Sequence, residues 1–279
     1  EGGHAVAHSH MTTLSAFALR AARRAGVPVR ICHAHSTFDR RSDHYWIKAA
    51  LRPFAAKDAT CRMACGRLAA QNLFRRRAKE AIILPNAIDL ERFAPDPLAK
   101  ERLQLQGRNL LFVGRFAPQK NLHFLLDAFA LALQRRPMTL LLLGAGAGEK
   151  ALRERAARAD LSGRVRFIPQ GDPAPWYAAA DAFVLPSLYE GFPVVGLEAQ
   201  AAGLPCLFSD KITREADVCG GAAFLPLDRE AWAAAMAEDA PRLTDCAKRL
   251  QQAGYDIRQE AGRLREVYDR ALQSLVGEE

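Results

Sequence analysis

The stretch "AFVLPSLYEGFPVVGLEAQAAGLPCLFSD", residues 182–210, reads as strand, helix, strand. "AFVLPS" is a short apolar run ending at a proline, and "PCLFSD" is another, while the residues from Val194 onward suit a helix that starts after Gly191-Phe192-Pro193. A helix joining two such strands carries the chain back over the sheet, so the strands run parallel and helices cover the faces. The same alternation continues outward. "NLLFVG" (109–114), "MTLLLLG" (138–144), "VRFIPQG" (165–171) and "AAFLP" (222–226) read as further strands, with helices over 122–136, 149–160 and 174–181 between them. This is the order of a doubly wound α/β domain. Two more helices are predicted, over 229–253 and 256–274.

Residues 1–84 repeat the pattern more weakly: "HAVAHSH" as strand, "TTLSAFALRAARRAG" as helix and "VPVRICHAH" as strand. A basic helix from Tyr45 to Phe54, the strand "ATCRMACG", a helix over 67–77 and the strand "AIILPN" follow, and "NAIDLERFAPDP" reads as a linker. The expected division is 1–90 and 91–255, each Rossmann-like, with a terminal helix over 256–279 crossing back to the first domain. A doubly wound domain takes about 100–150 residues to close its core. The first domain falls short of this and opens on a strand, so its opening portion is expected to be absent from this chain.

The 279 residues are 49% hydrophobic and 25% charged, as in globular chains. No run reaches the ~20 apolar residues of a membrane span, and no leader pattern opens the sequence, so a soluble cytoplasmic location is expected. The six cysteines form no metal-binding or redox spacing and read as buried thiols. Residues 1–96 hold 16 Lys and Arg against 8 Asp and Glu, and the rest of the chain is balanced, so the whole net charge of +8 sits in the first third. That asymmetry points to an anionic partner on one side. No basic recognition motif interleaved with aromatics appears, which argues against nucleic acid. The aromatics and cations of residues 45–79, with Lys48, Arg52, Lys57, Arg62, Arg67 and Arg75-Arg76-Arg77, suit an anionic membrane surface.

Together, "ILPNAIDLERFAP", "FVGRFAPQKN", "DAFVLPSLYEGFPVVGLEAQAAGLPC" and "HSH" resemble the retaining glycosyltransferases of the GT-B fold that build bacterial capsules, exopolysaccharides and lipopolysaccharide cores. The most specific element is Glu190-x7-Glu198 between a strand and a helix. The resemblance implies two facing doubly wound domains, the N-terminal one incomplete here. It also implies a nucleotide-sugar donor, UDP- or GDP-linked, a glycan or lipid-linked acceptor and no other cofactor. The alternative reading is a fragment that binds the nucleotide-sugar with little or no transferase activity.

A departing diphosphate needs positive charge. The sequence has no Asp-x-Asp pair to hold a divalent cation, so no metal ligands are assigned and fixed charge must serve. Arg115 and Lys120, in the loop after "NLLFVG" with Gly114, stand where open α/β sheets bind ligands. The helix after Pro193 offers the amides of Val194 and Val195 to a phosphate. Glu198 sits among apolar neighbours, where a carboxylate needs hydrogen bonds. The resemblance gives it the ribose diol, places Glu190 by the transferred sugar with Gly191 and Phe192 alongside, and gives His10 contact to the donor sugar or its phosphate. His33 and His35 end the next strand in the same way. The "GAGAG" at 144–148 departs from the dinucleotide fingerprint and reads as a tight turn.

Overall fold

The computed structural model describes residues 3–35 and 44–276, which form two compact units, one from the residues up to Ala87 together with those from Gly254 onward, the other from Ile88–Ala253. The first unit begins with strand β1 (Val6–Ser9), helix α1 (Ser15–Arg24), β2 (Val29–Ala34), helix α2 (Tyr45–Leu51), β3 (Cys61–Ala64), helix α3 (Arg67–Phe74) and the short β4 (Ile82–Ile83). The four strands are parallel in the order β1-β2-β3-β4, with His8 opposite Ile31 and His33 opposite Met63. Successive side chains of a strand alternate between faces. Cys32, Ala34 and Ala64 therefore pack with Leu19, Leu73 and Phe74 on one side. Val29, Ile31 and Met63 form a second layer on the other.

The larger unit runs through helix α4 (Ala99–Arg102), β5 (Arg108–Val113), α5 (Leu122–Arg135), β6 (Met138–Leu143), α6 (Glu149–Ala156), β7 (Val165–Ile168) and α7 (Ala174–Ala179). It continues through β8 (Ala182–Leu185), α8 (Val194–Ala201), β9 (Cys206–Ser209), β10 (Ala222–Leu225), α9 (Arg229–Ala237) and α10 (Cys246–Gln252). All six strands are parallel, in the order β10-β9-β8-β5-β6-β7. Every residue of β5 is buried, as expected of a central strand covered on both faces. Phe112, Phe129, Phe183, Phe208 and Trp232 are almost wholly buried around this sheet. Such side chains stabilise by about 1.5–3 kcal/mol each. On α5 the buried positions Leu122, Leu125, Leu126 and Phe129 follow helical periodicity.

The 229–253 helix expected from sequence is two helices. The guanidinium of Arg108 donates to the carbonyls of Met236 (2.9 Å) and Glu238 (2.5 Å), and that of Arg136 to the carbonyl of Ala237 (3.3 Å), so the end of α9 is capped from the start of β5 and the end of α5. Pro241 has no N–H to continue a helix. Arg242 next to it donates to the carbonyls of Ala178, Ala180 and Ala202 at 2.5–2.6 Å, tying the interruption down.

The last helix, α11 (Ile257–Val276), belongs to the first unit and lays Leu264, Val267, Tyr268, Ala271 and Leu272 on the Val29, Ile31 and Met63 face of its sheet. The linker read from sequence divides between Ala87 and Ile88, with Ile88, Leu90 and Phe93 buried in the larger unit. Arg62, counted from sequence among surface cations, is buried instead: it donates to Glu80 (3.3 Å) and to the carbonyl of Ala56 (3.3 Å).

Candidate functional site

In the larger sheet the chain leaves β5 towards β6 and β7, then returns to the other side of β5 as β8. The loops after β5 and β8 consequently diverge, which opens a crevice at the carboxyl ends of the two strands, where such sheets bind ligands. The β5 loop carries Gly114, Arg115 and Lys120; the β8 loop carries Glu190, Gly191, Phe192 and Pro193.

Hydrogen bonds fix these loops. Leu188 N donates to Gln119 O (2.8 Å), and Gln119 Nε2 donates to Tyr189 O (2.7 Å) and to Glu190 Oε2 (3.3 Å). Lys120 Nζ meets Glu190 Oε1 at 2.5 Å, with the two side chains 15% and 9% exposed. Sequence reasoning took Lys120 as a free cation for a diphosphate; the structure gives it a carboxylate partner, because the two loops meet across the β5 and β8 boundary. It also missed Gln119, whose role depends on a segment 70 residues away. Arg115 is exposed and has no ion-pair partner among the described residues.

Gly114 N donates to Leu143 O (3.0 Å) and Phe116 N to Ala145 O (2.8 Å), so the β5 loop is zipped to the "GAGAG" turn. The approach is close enough that a Cβ on Gly144 would lie 2.0 Å from Gly114 O. These glycines serve backbone packing.

Helix α8 starts at Val194, with Pro193 as its cap residue and the Gly196 amide bonded to Pro193 O (2.9 Å). The amides of Val194 and Val195 precede the hydrogen-bonded ladder. One turn further on, Glu198 Oε2 lies 2.9 Å from the Tyr177 hydroxyl, which also lies 3.1 Å from the Val195 carbonyl. Tyr177, on α7 and 0% exposed, is thus the protein partner that sequence reasoning did not give Glu198. A phenol has one hydrogen, so when Glu198 is ionised its carboxylate competes with Val195 for it. Burial pushes the Glu198 carboxyl above its ordinary range, opposed by the Tyr177 hydrogen bond and the Arg92 charge. Burial also raises the Tyr177 phenol well above the usual value. At the end of β8, the Ser187 hydroxyl is buried without a partner among the described residues, and Ser187 O accepts from Ser209 Oγ at 2.5 Å.

A carboxyl whose pKa is raised on folding favours the fold below its unfolded pKa, and that contribution is lost as pH rises through the folded value. Glu198→Gln, which keeps the shape and removes the charge, should therefore raise the melting midpoint near pH 7. The gain should vanish in acid, where Glu198 is protonated. Calorimetry of both proteins across pH checks this; a gain that grows towards low pH would contradict it.

In the first unit His10 follows β1 and is exposed, with Nδ1 2.6 Å from His35 Nε2. His35 Nδ1 in turn lies 2.9 Å from Asn86 Oδ1.

Residues 107–239 match the sequence model of the family described as glycosyl transferases group 1. EpsF of Bacillus subtilis, named as a glycosyltransferase, is 36% identical over 96% of this chain and 75% of its own length. The Escherichia coli enzyme named UDP-Gal:alpha-D-GlcNAc-diphosphoundecaprenol alpha-1,3-galactosyltransferase is 31% identical over 74% of this chain, which spans 57% of that protein. Anabaena HepE, solved in complex with UDP, superposes with a TM-score of 0.79 over 95% of this chain and 78% of its own, at 20% identity, and so shares its fold. The parallel-sheet GT-B architecture expected from sequence is borne out by this likeness and by the two sheets described above. Because EpsF matches 96% of this chain at 36% identity, the chain belongs to the group 1 glycosyltransferases.

Proposed function

We propose that this chain transfers a sugar from a nucleoside-diphosphate sugar to a glycan or lipid-linked acceptor, with retention of configuration and without a divalent metal ion, in surface polysaccharide synthesis. The carrying observation is the Lys120–Glu190 pair at the switch point between β5 and β8. Lys120 has three N–H donors, one of them turned to Glu190, and the others are offered to the diphosphate. Glu190 accepts from Lys120 and Gln119 and has lone pairs left for the hydroxyls of the transferred sugar. Arg115 and the α8 amides of Val194 and Val195 add positive potential, and Glu198 takes the ribose diol. The bond from the anomeric carbon to the diphosphate oxygen breaks as the acceptor oxygen bonds on the same face, and the acceptor proton passes to the departing diphosphate. Fixed cations stabilise the charge that develops there.

The HepE structure contains UDP, and the E. coli relative is named for a UDP-sugar and a lipid-linked acceptor; both favour a UDP-linked donor here. Incubation with UDP-, GDP- and ADP-sugars, with and without EDTA, tests the proposal. Sugar release or transfer from one of them is expected, unaltered by EDTA. Activity lost to EDTA and restored by Mg²⁺ would overturn the metal-free chemistry, and nucleotide binding without turnover would favour the binding-only reading.

We read the location as cytoplasmic, at the inner face of the membrane. No helix among the described residues is long and apolar enough to cross a bilayer. The first unit exposes Phe17 and Phe54 beside a groove lined by Arg20, Arg23, Arg24 and Lys57, and Trp46 is 76% exposed on α2. Aromatic rings settle at the headgroup level, and each cation near an anionic leaflet contributes about 1 kcal/mol. Co-sedimentation should therefore require anionic vesicles and fall steeply with salt. Equal recovery with neutral vesicles would remove the membrane surface from the proposal.

A further inference from the structure

Two His-x-His runs, His8-Ser9-His10 and His33-Ala34-His35, end neighbouring parallel strands. Strand alternation puts both histidines of a run on one face, and the β1 and β2 register brings the runs side by side. The ring centroids lie 4.1 Å apart for His8 and His10, 5.1 Å for His8 and His33, 5.1 Å for His10 and His33, and 4.0 Å for His33 and His35. His8 Nε2 faces His33 Nδ1 at 3.1 Å. One nitrogen can be taken from each of His8, His10 and His33 such that all three lie within 4.8 Å of one another. We propose that His8, His10 and His33 form a binding site for a divalent transition-metal ion of the zinc class.

Three imidazoles with a fourth position open are a common ligand set for such ions. With bonds of about 2.0–2.1 Å, tetrahedral geometry places ligand nitrogens about 3.3 Å apart. The 3.1 Å pair is near that spacing already, and exposed His10 offers a nitrogen within 4.8 Å of both. The surroundings are those of a supported ligand set. Tyr268 of α11 holds His8 Nδ1 through its hydroxyl at 2.7 Å, which orients the ring and leaves Nε2 turned inward. His33 is 4% exposed, so packing fixes the ring that turns Nδ1 to His8. His10, which the family resemblance gives to the donor sugar or its phosphate, is read here as an ion ligand, so the ion is tested without nucleotide.

The test is a titration of the tag-free, metal-stripped full chain with Zn²⁺ against a chromogenic chelator, in the absence of nucleotide. One ion per chain is expected, with affinity at least about tenfold lower in His10→Gln. Because His10 is exposed, that variant should keep the wild-type circular dichroism. Cobalt(II) should give visible d–d bands without a thiolate charge-transfer band, since the ligands are imidazoles. The proposal is overturned by no binding, by unchanged affinity in both His10→Gln and His8→Phe, or by a thiolate band, which would move the ion to the cysteines.

Discussion

Lys120→Met should lower kcat by about 10²–10³-fold, the loss typical when one preorganised group stabilising transition-state charge is removed. Methionine keeps the unbranched stem and deletes the charge, so packing changes little and the loss reports on electrostatics. The same substitution strands Glu190, whose side chain is 9% exposed, beside no cation. Removing one member of a buried pair destabilises more than the pair itself contributes, so the melting midpoint should fall too. Adding Glu190→Gln separates the effects: the double variant should regain the midpoint and remain inactive. Thermal melts and single-turnover rates on the three proteins decide the matter. If the double variant recovers turnover, Lys120 serves only to neutralise Glu190 and the diphosphate assignment fails.

The second large effect concerns nucleotide affinity. Glu198→Ala should weaken binding of the donor nucleotide by about 1.5–3 kcal/mol, the usual worth of hydrogen bonds to a charged group, or roughly ten- to a hundredfold. The loss should belong to the ribose hydroxyls alone. A 2′,3′-dideoxy nucleoside diphosphate should therefore bind the wild type and the variant alike, which closes a thermodynamic cycle on the carboxylate and the diol. Calorimetry with both ligands checks it; an equal loss for the dideoxy ligand would show that Glu198 acts through Tyr177 and the shape of α8.

What was legible in the sequence is what local patterning encodes. Apolar runs closed by Pro or Gly marked the strands around Phe112, Leu141 and Phe183, and Pro193 marked the start of α8. Spacing from strand ends also put Lys120 and Glu190 at the carboxyl ends of β5 and β8, where the structure pairs them. What escaped depends on contacts between distant segments. The break after Ala237 arises because Arg108 and Arg136 reach carbonyls more than 100 residues away. Tyr177 sits in an unremarkable helix, and only the packing of α7 beside α8 turns its hydroxyl to Glu198. The histidine runs were each visible, but their gathering follows from the β1 and β2 register.

The return of α11 to the first unit has a consequence for synthesis on the ribosome. Ile31, Met63 and Val29 need Leu264, Val267 and Leu272 to cover them, and translation delivers those residues only after the whole larger unit has emerged. At about 5–20 residues per second, one face of the nascent first sheet waits roughly 10–40 s for its cover. Over that interval the larger unit has all its own strands and can fold, so the order of completion runs against the order of emergence. The early-made sheet, with apolar side chains bare, is then the part of the nascent chain that a chaperone has most reason to hold.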